Sequence, residues 1–313
     1  MKYLYVKPVF QWFSAIAVMF LGACTSEVPG TLETAEAISF GVPQTRAAVE
    51  TANDMDAFSV WGWYKDTETS GDPVSVFDET RVDQASGWNY EGGTRYWIPG
   101  KTYSFYGVYP HGLENVEVTS DGITITNFDC SATGENAVDL MTAVNTGLLG
   151  ADAPMVNMSF SHELVRINFI VRTEEGGMAY LTKSELDGVV CQGTLTRNFS
   201  NTDTRTWQLS EQRKVFQKQY NPAVEIDIKG ETLMDEMLLP PQTIATETAS
   251  ISITYSYGYG EAQSQTVSIP AITWEAGKSY TYTLTIASDG RIHFASPVID
   301  KWGEALGGII IVA

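Results

Sequence analysis

From residue 57 onward, apolar and polar residues alternate over most of the chain. The stretch AFSVWGWYKD sets Phe58, Val60, Gly62 and Tyr64 on one face and Ser59, Trp61 and Trp63 on the other. That period of two belongs to an extended strand, whose successive side chains point to opposite faces. KTYSFYGVYP repeats it with Tyr103, Phe105 and Tyr109, between the turn PGK and Pro110. VEVTSDGITITNF reads as two short strands around Ser120-Asp121-Gly122, a hairpin signal. Met158 and Phe160 begin one phase, and Val165, Ile167, Phe169 and Val171 resume in the opposite one. A one-residue change of phase predicts a bulge or turn near SHEL. In the second half, LLPPQT reads as a loop or edge segment and SISITYSYGYGEAQSQTVSIPAI as a long hairpin. Tyr280, Tyr282, Leu284 and Ile286 share one face of SYTYTLTI. Only LTKSELDG reads as a short turn of helix. Strands at regular spacing with turn signals between them predict an all-β fold of β-sandwiches. The length of 313 residues suits two domains in tandem. The boundaries expected are 38–174 and 178–313, with TEEGG as the linker.

Upstream, Ile38, Phe40 and Val42 alternate with Ser39 and Gly41 as a short first strand, 38–42. Pro43 ends it, and 43–50 is a loop containing Arg46 and Ala47. Residues 24–37 are small, polar and acidic, the composition of a tether. Before them, Lys2 and Lys7 precede the apolar run FQWFSAIAVMFL. As a helix that run rises roughly 18 Å, short of the ~30 Å hydrocarbon core, so residues 1–23 read as a signal peptide. Leu21-Gly22-Ala23-Cys24 resembles the bacterial lipobox. The resemblance implies cleavage before Cys24, a lipid on its thiol and attachment to the outer membrane. Stable attachment takes more than one acyl chain.

The formal net charge of −19 argues against nucleic acid and against docking on anionic lipid by charge. Beyond Cys24 the cysteines are Cys130 and Cys191. They read as one disulfide in an oxidising compartment or as two buried thiols, and their placement in different expected domains favours the thiols. Chemistry finds little support. His162-Glu163 begins like HExxH, but Arg166 stands where the second zinc ligand belongs. SYGYGEAQ lacks a third glycine, and no G-x-S-x-G elbow occurs. No catalytic residue, metal site or cofactor is expected, and the chain does not read as an enzyme.

ISF and TRA soon after the lipobox, then YWIPGKTYSFYGVYP, DLMTA, FSHELVRINFIV and ITWEAGKSYTYTLTI, occur in that order. In this the chain resembles the fimbrillin family of Bacteroidetes lipoproteins, the subunits of type V pili. The resemblance implies two transthyretin-like β-sandwich domains and a structural or adhesive role in a cell-surface fimbria. It further implies that a trypsin-like protease cuts between Arg46 and Ala47. The first strand, with Ile38, Phe40 and Val42, then leaves, and a strand from another fimbrial subunit replaces it. A sandwich lacking one strand presents unpaired backbone and apolar pockets, a template for such an exchange. The carboxy-terminal GIIIVA reads either as a donor strand or as the last strand of the second domain. A rival reading is a surface glycan-binding lipoprotein that does not polymerise. In it Trp61, Trp63, Trp88, Tyr90, Tyr96 and Trp97 would stack on a host or bacterial surface sugar; the alternative for these rings is a sandwich core.

Overall fold

Which strands find each other decides where the inward side chains gather. The computed structural model describes residues 35–42, 55–68, 71–174, 176–199 and 202–302. The fold is an all-β sandwich architecture, with two short 3-10 turns at Gln84–Ser86 and Gly134–Asn136. No helix among the described residues is long and apolar enough to cross a membrane. Residues 1–34, 43–54 and 303–313 lie outside the description, and with them Cys24, Arg46, Ala47 and GIIIVA.

One six-stranded antiparallel sheet runs in the order Phe160–His162, Met141–Leu149, Lys101–Tyr109, Ala57–Asp66, Val74–Asp83, Asn89–Tyr90. Phe58, Val60, Tyr103, Phe105, Met141 and Ala143 point from one of its faces into a buried cluster. Its other face is also covered. Trp61, Tyr106 and Val108 belong to a second and larger buried cluster. The alternation along Ala57–Asp66 therefore separates two apolar environments rather than core from solvent.

The larger cluster is built mainly by three further sheets, with Ile244 and Trp274 added by the two-stranded pair Gln242–Ile244 and Ile272–Trp274. Val165–Thr173 runs parallel to Lys278–Ile286, from Arg166 opposite Ser279 to Thr173 opposite Ile286. Ala179–Asp187 lies between Phe216–Ile226 and Ser250–Tyr257, with Gln263–Ser268 outside the latter. Gly122–Asp129 pairs with Val116–Thr119 on one side and Gln192–Asn198 on the other, with Thr204–Leu209 beyond. Both expected hairpins are present, 116–129 and 250–268. Tyr280, Tyr282, Leu284 and Ile286 are all buried.

Two local expectations change. LTKSELDG lies in the strand Ala179–Asp187 rather than in a helical turn. A register shift between Leu181 and Lys183 breaks its alternation and disguises the period. The change of phase near SHEL is a change of sheet. Phe160–His162 pairs with Met141–Leu149, whereas Val165–Thr173 joins the strand 278–286 of the second half. TEEGG lies between strands of two different sheets, Val165–Thr173 and Ala179–Asp187, whose inward residues Val171 and Leu181 share one cluster. Sheet membership thus changes both at Glu163–Leu164 and across 173–177.

Candidate functional site

The first strand lies across the inner face of the six-stranded sheet. Phe40–Gly41 pairs in parallel with Val156–Asn157, and Ala37 forms an antiparallel bridge with Tyr96. Backbone bonds run to both flanks: Ile38 N to Arg95 O (2.8 Å), Trp97 N to Glu36 O (2.9 Å), Val156 N to Ser39 O (2.8 Å) and Met158 N to Gly41 O (2.8 Å). The alternation read from the sequence holds. Ile38 and Phe40 are buried, Val42 is half-buried and Ser39 is exposed.

Phe40 occupies the centre of an aromatic nest. Its ring meets those of Phe77 (5.3 Å), Phe105 (5.6 Å), Tyr90 (5.7 Å) and Phe58 (6.4 Å), all edge to face. That geometry favours the positive ring edge against a neighbour's negative face. Full burial of Ile38 and of Phe40 contributes roughly 1.5–3 kcal/mol each. The sheet leaves room for the rings at two glycines. A Cβ on Gly62 would stand 2.8 Å from Phe105 Cδ1, and one on Gly107 would stand 2.9 Å from both Met158 Cε and Phe160 Cζ.

Arg95 ties this nest to the strand. Its carbonyl accepts from Ile38, while its guanidinium lies 4.4 Å from the Phe77 ring centroid. Its backbone N–H donates to the Tyr90 hydroxyl at 2.9 Å. The sequence reading did not single out Arg95 or the receiving segment 156–158. Arg95 follows the glycines at 92 and 93 in a stretch without alternation, and Val156–Asn157 is only two residues long.

The six aromatics considered as a sugar platform do not form one. Trp61 and Trp97 are buried, Trp63, Trp88 and Tyr90 are half-buried, and Tyr96 is the exposed member. Trp97 packs on Tyr103 at 4.7 Å and Trp88 on Phe58 at 5.7 Å. The HExxH-like residues also have structural surroundings. His162 stacks on Trp302 at 4.0 Å. The Glu163 carboxylate accepts from Arg205 Nε at 3.0 Å. Among the described residues no group of three potential ligands is gathered for a metal.

The arrangement can hold an extended segment by backbone pairing and by pockets for alternate side chains. A solved fimbrial protein from Bacteroides vulgatus ATCC 8482 superposes with a TM-score of 0.64 at 16% identity, over 85% of this chain and 99% of that one. A solved candidate cell adhesion protein from Bacteroides ovatus ATCC 8483 superposes at 0.51, also 16% identical, over 79% of this chain and 87% of that one. At such identity these structures speak for the fold. No curated protein matches the chain. A family profile described as fimbrillin-like matches residues 45–302. Spanning most of the sequence, that match shows that the chain belongs to the fimbrillin-like family.

Proposed function

We propose that this protein is a structural or adhesive subunit of a cell-surface fimbria, carried to the outer membrane by a lipid on Cys24 and assembled by strand exchange. A trypsin-like protease cuts between Arg46 and Ala47. The segment carrying Ile38, Phe40 and Val42 then leaves its groove, and an extended strand of another fimbrial subunit takes its place. The observation that carries this reading is the seat of Phe40. A segment of a few residues fills the centre of an aromatic nest and is bonded to both flanks, so its loss uncovers apolar pockets and unpaired backbone together.

We infer two sandwich domains in this scheme. The smaller cluster, from Ile38 to Met158, belongs to the amino-terminal one, and the passage between them falls near Glu163. The burial of Trp61 and Trp97 counts against the glycan-binding alternative. The test is limited trypsin digestion of the delipidated protein, with amino-terminal sequencing and sizing of products. A new amino terminus at Ala47, accompanied by higher-order species, is expected. Polymers formed equally well by Arg46→Ala would refute the scheme.

A further inference from the structure

We propose that Cys130 and Cys191 are the two halves of a structural disulfide in the exported protein. The proposal rests on the reading that the chain is exported.

The two cysteines are remote in sequence, yet the fold sets them opposite each other. In the antiparallel pair of Gly122–Asp129 with Gln192–Asn198, Phe128 stands opposite Gly193 and Asp129 opposite Gln192. One step further along the same register brings Cys130 opposite Cys191. The bond Cys130 N to Cys191 O, at 2.7 Å, continues the ladder to that position. The reciprocal bond is not made, since Cys191 N–H donates to Gln212 O, yet opposite residues of an antiparallel pair lie about 4.5–5.5 Å apart at Cα, inside the roughly 4.4–6.8 Å that a disulfide spans.

Direction agrees with distance. Residues two apart on a strand share a face. Phe128 and Cys130 are buried while Asp129 is exposed, and Cys191 and Gly193 are buried while Gln192 is not. Both thiols therefore point to the inner side and enter the same cluster. They are thiols in the structure as described. With Cys24 acylated, these two are the only cysteines left in the mature chain, so no other intramolecular pairing competes. The separation of the two in expected domains, which favoured free thiols at the level of sequence, is removed by the pairing of 122–129 with 192–198.

The oxidant is a thiol–disulfide oxidoreductase of the export compartment. One cysteine thiolate attacks the enzyme's disulfide and displaces one enzyme thiolate. The second cysteine attacks the mixed disulfide, closing the Cys130–Cys191 bond and releasing the enzyme as a dithiol. Two electrons pass to the enzyme, and the two thiol protons balance its two new thiols. Burial pushes both thiols up from their ordinary value, with Asp129 adding to the effect. Thiolate is therefore scarce once the sheet has closed, and the exchange belongs to the chain before folding is complete. The bond would close a loop of about 60 residues, a length at which a crosslink strongly restricts the unfolded chain.

The experiment has two arms. Full-length protein is extracted from its own cells with acid quenching, denatured without reductant, alkylated with N-ethylmaleimide and weighed. No adduct before reduction and two after it, at Cys130 and Cys191, is the expected result. Two adducts before reduction overturn the proposal. In the second arm, reduced denatured protein is refolded with oxidised and reduced glutathione. Closure to a monomer lacking free thiols is expected, and Cys130→Ser should instead retain one alkylatable thiol. Refolded protein that keeps both thiols overturns the geometric argument. Closure in this arm with free thiols in the first locates the failure in the export reading.

Discussion

The carboxylate of Glu163 lies 3.7 Å from the guanidinium of Arg197, and both side chains are buried. Arg197 also holds Asp203 through two nitrogens, at 2.8 and 2.6 Å, and donates to the Thr142 hydroxyl, which in turn donates to Glu163. Arg205 adds a second cation to the same carboxylate. Thr142 belongs to the six-stranded sheet and Arg197 to the strand Gln192–Asn198. The network therefore ties these two sheets together beside the point where the chain leaves Phe160–His162 of the six-stranded sheet.

Removing one member of a buried charge network leaves its partners desolvated and uncompensated, which costs about 3–5 kcal/mol. Glu163→Ala leaves Arg197 with Asp203 alone as its carboxylate partner and deprives Arg205 and the Thr142 hydroxyl of their shared acceptor, so a loss of that order is expected in urea unfolding. Arg197→Ala should cost a similar amount. The double variant should cost clearly less than the sum, because each single change already breaks the shared contact. Additive losses would mean that Glu163 and Arg197 act independently.

Acid should weaken the same network. The hydrogen bonds from Arg197 hold the Asp203 carboxyl below its ordinary value of 3.8. A carboxylate lowered in the folded state contributes stability that is present above the unfolded value and is lost as pH falls through the folded one. Asp203→Asn is thus expected to flatten the fall in stability below pH 4. Parallel wild-type and variant curves of denaturation midpoint against pH would count against this role.

At the alkaline end the sign reverses. Burial pushes the Tyr282 hydroxyl from its ordinary 10.0 up to about 12, with the Trp274 N–H at 2.9 Å opposing part of the rise. The unfolded chain gives up this proton near pH 10, so the stability it lends is intact below that value and is lost as pH rises toward 12. The interval corresponds to about 3 kcal/mol as an upper figure. Tyr282→Phe should reduce the alkaline slope without abolishing it, since Tyr103, Tyr106, Tyr220 and Tyr255 are shifted in the same direction. An unchanged slope between pH 10 and 11 in denaturant titrations would reject this account.

The sequence reveals which residues face inward more readily than it reveals which strands meet. Tyr280, Tyr282, Leu284 and Ile286 are legible because a period of two needs no knowledge of a partner. The opposite phases at Met158 and Val165 are equally visible, but a bulge and a change of sheet leave the same local trace. Alternation sets Trp61 on the face opposite Phe58, yet nothing local says that a second core lies on that side. Ile38 and Phe40 are legible by alternation alone. Arg95, which holds Ile38 through its own carbonyl, is not, because a backbone acceptor leaves no signature in residue type.

The seat of Phe40 separates two events that strand exchange must couple. A cut after Arg46 breaks one peptide bond, and the segment 35–42 keeps its four backbone bonds to the flanks at 95–97 and 156–158. It also keeps the buried side chains of Ile38 and Phe40. Cleavage alone is therefore expected to leave the fragment in place. After limited trypsin digestion it should co-elute with the body of the protein in native gel filtration and separate only in denaturant. Phe40→Ala removes the ring that four aromatics surround, at a cost of about 3–5 kcal/mol for a buried phenylalanine. After the same cut, that variant should lose the fragment in native buffer. Ile38→Ala should do so to a lesser degree. A synthetic peptide carrying residues 35–46 should then rebind the emptied Phe40→Ala body, and a peptide with Phe40 replaced by Asp should not, since a carboxylate in the nest would be buried without a partner. Spontaneous loss of the wild-type fragment on cutting would show that the groove contributes little to retention, and the coupling of release to an incoming strand would fail with it.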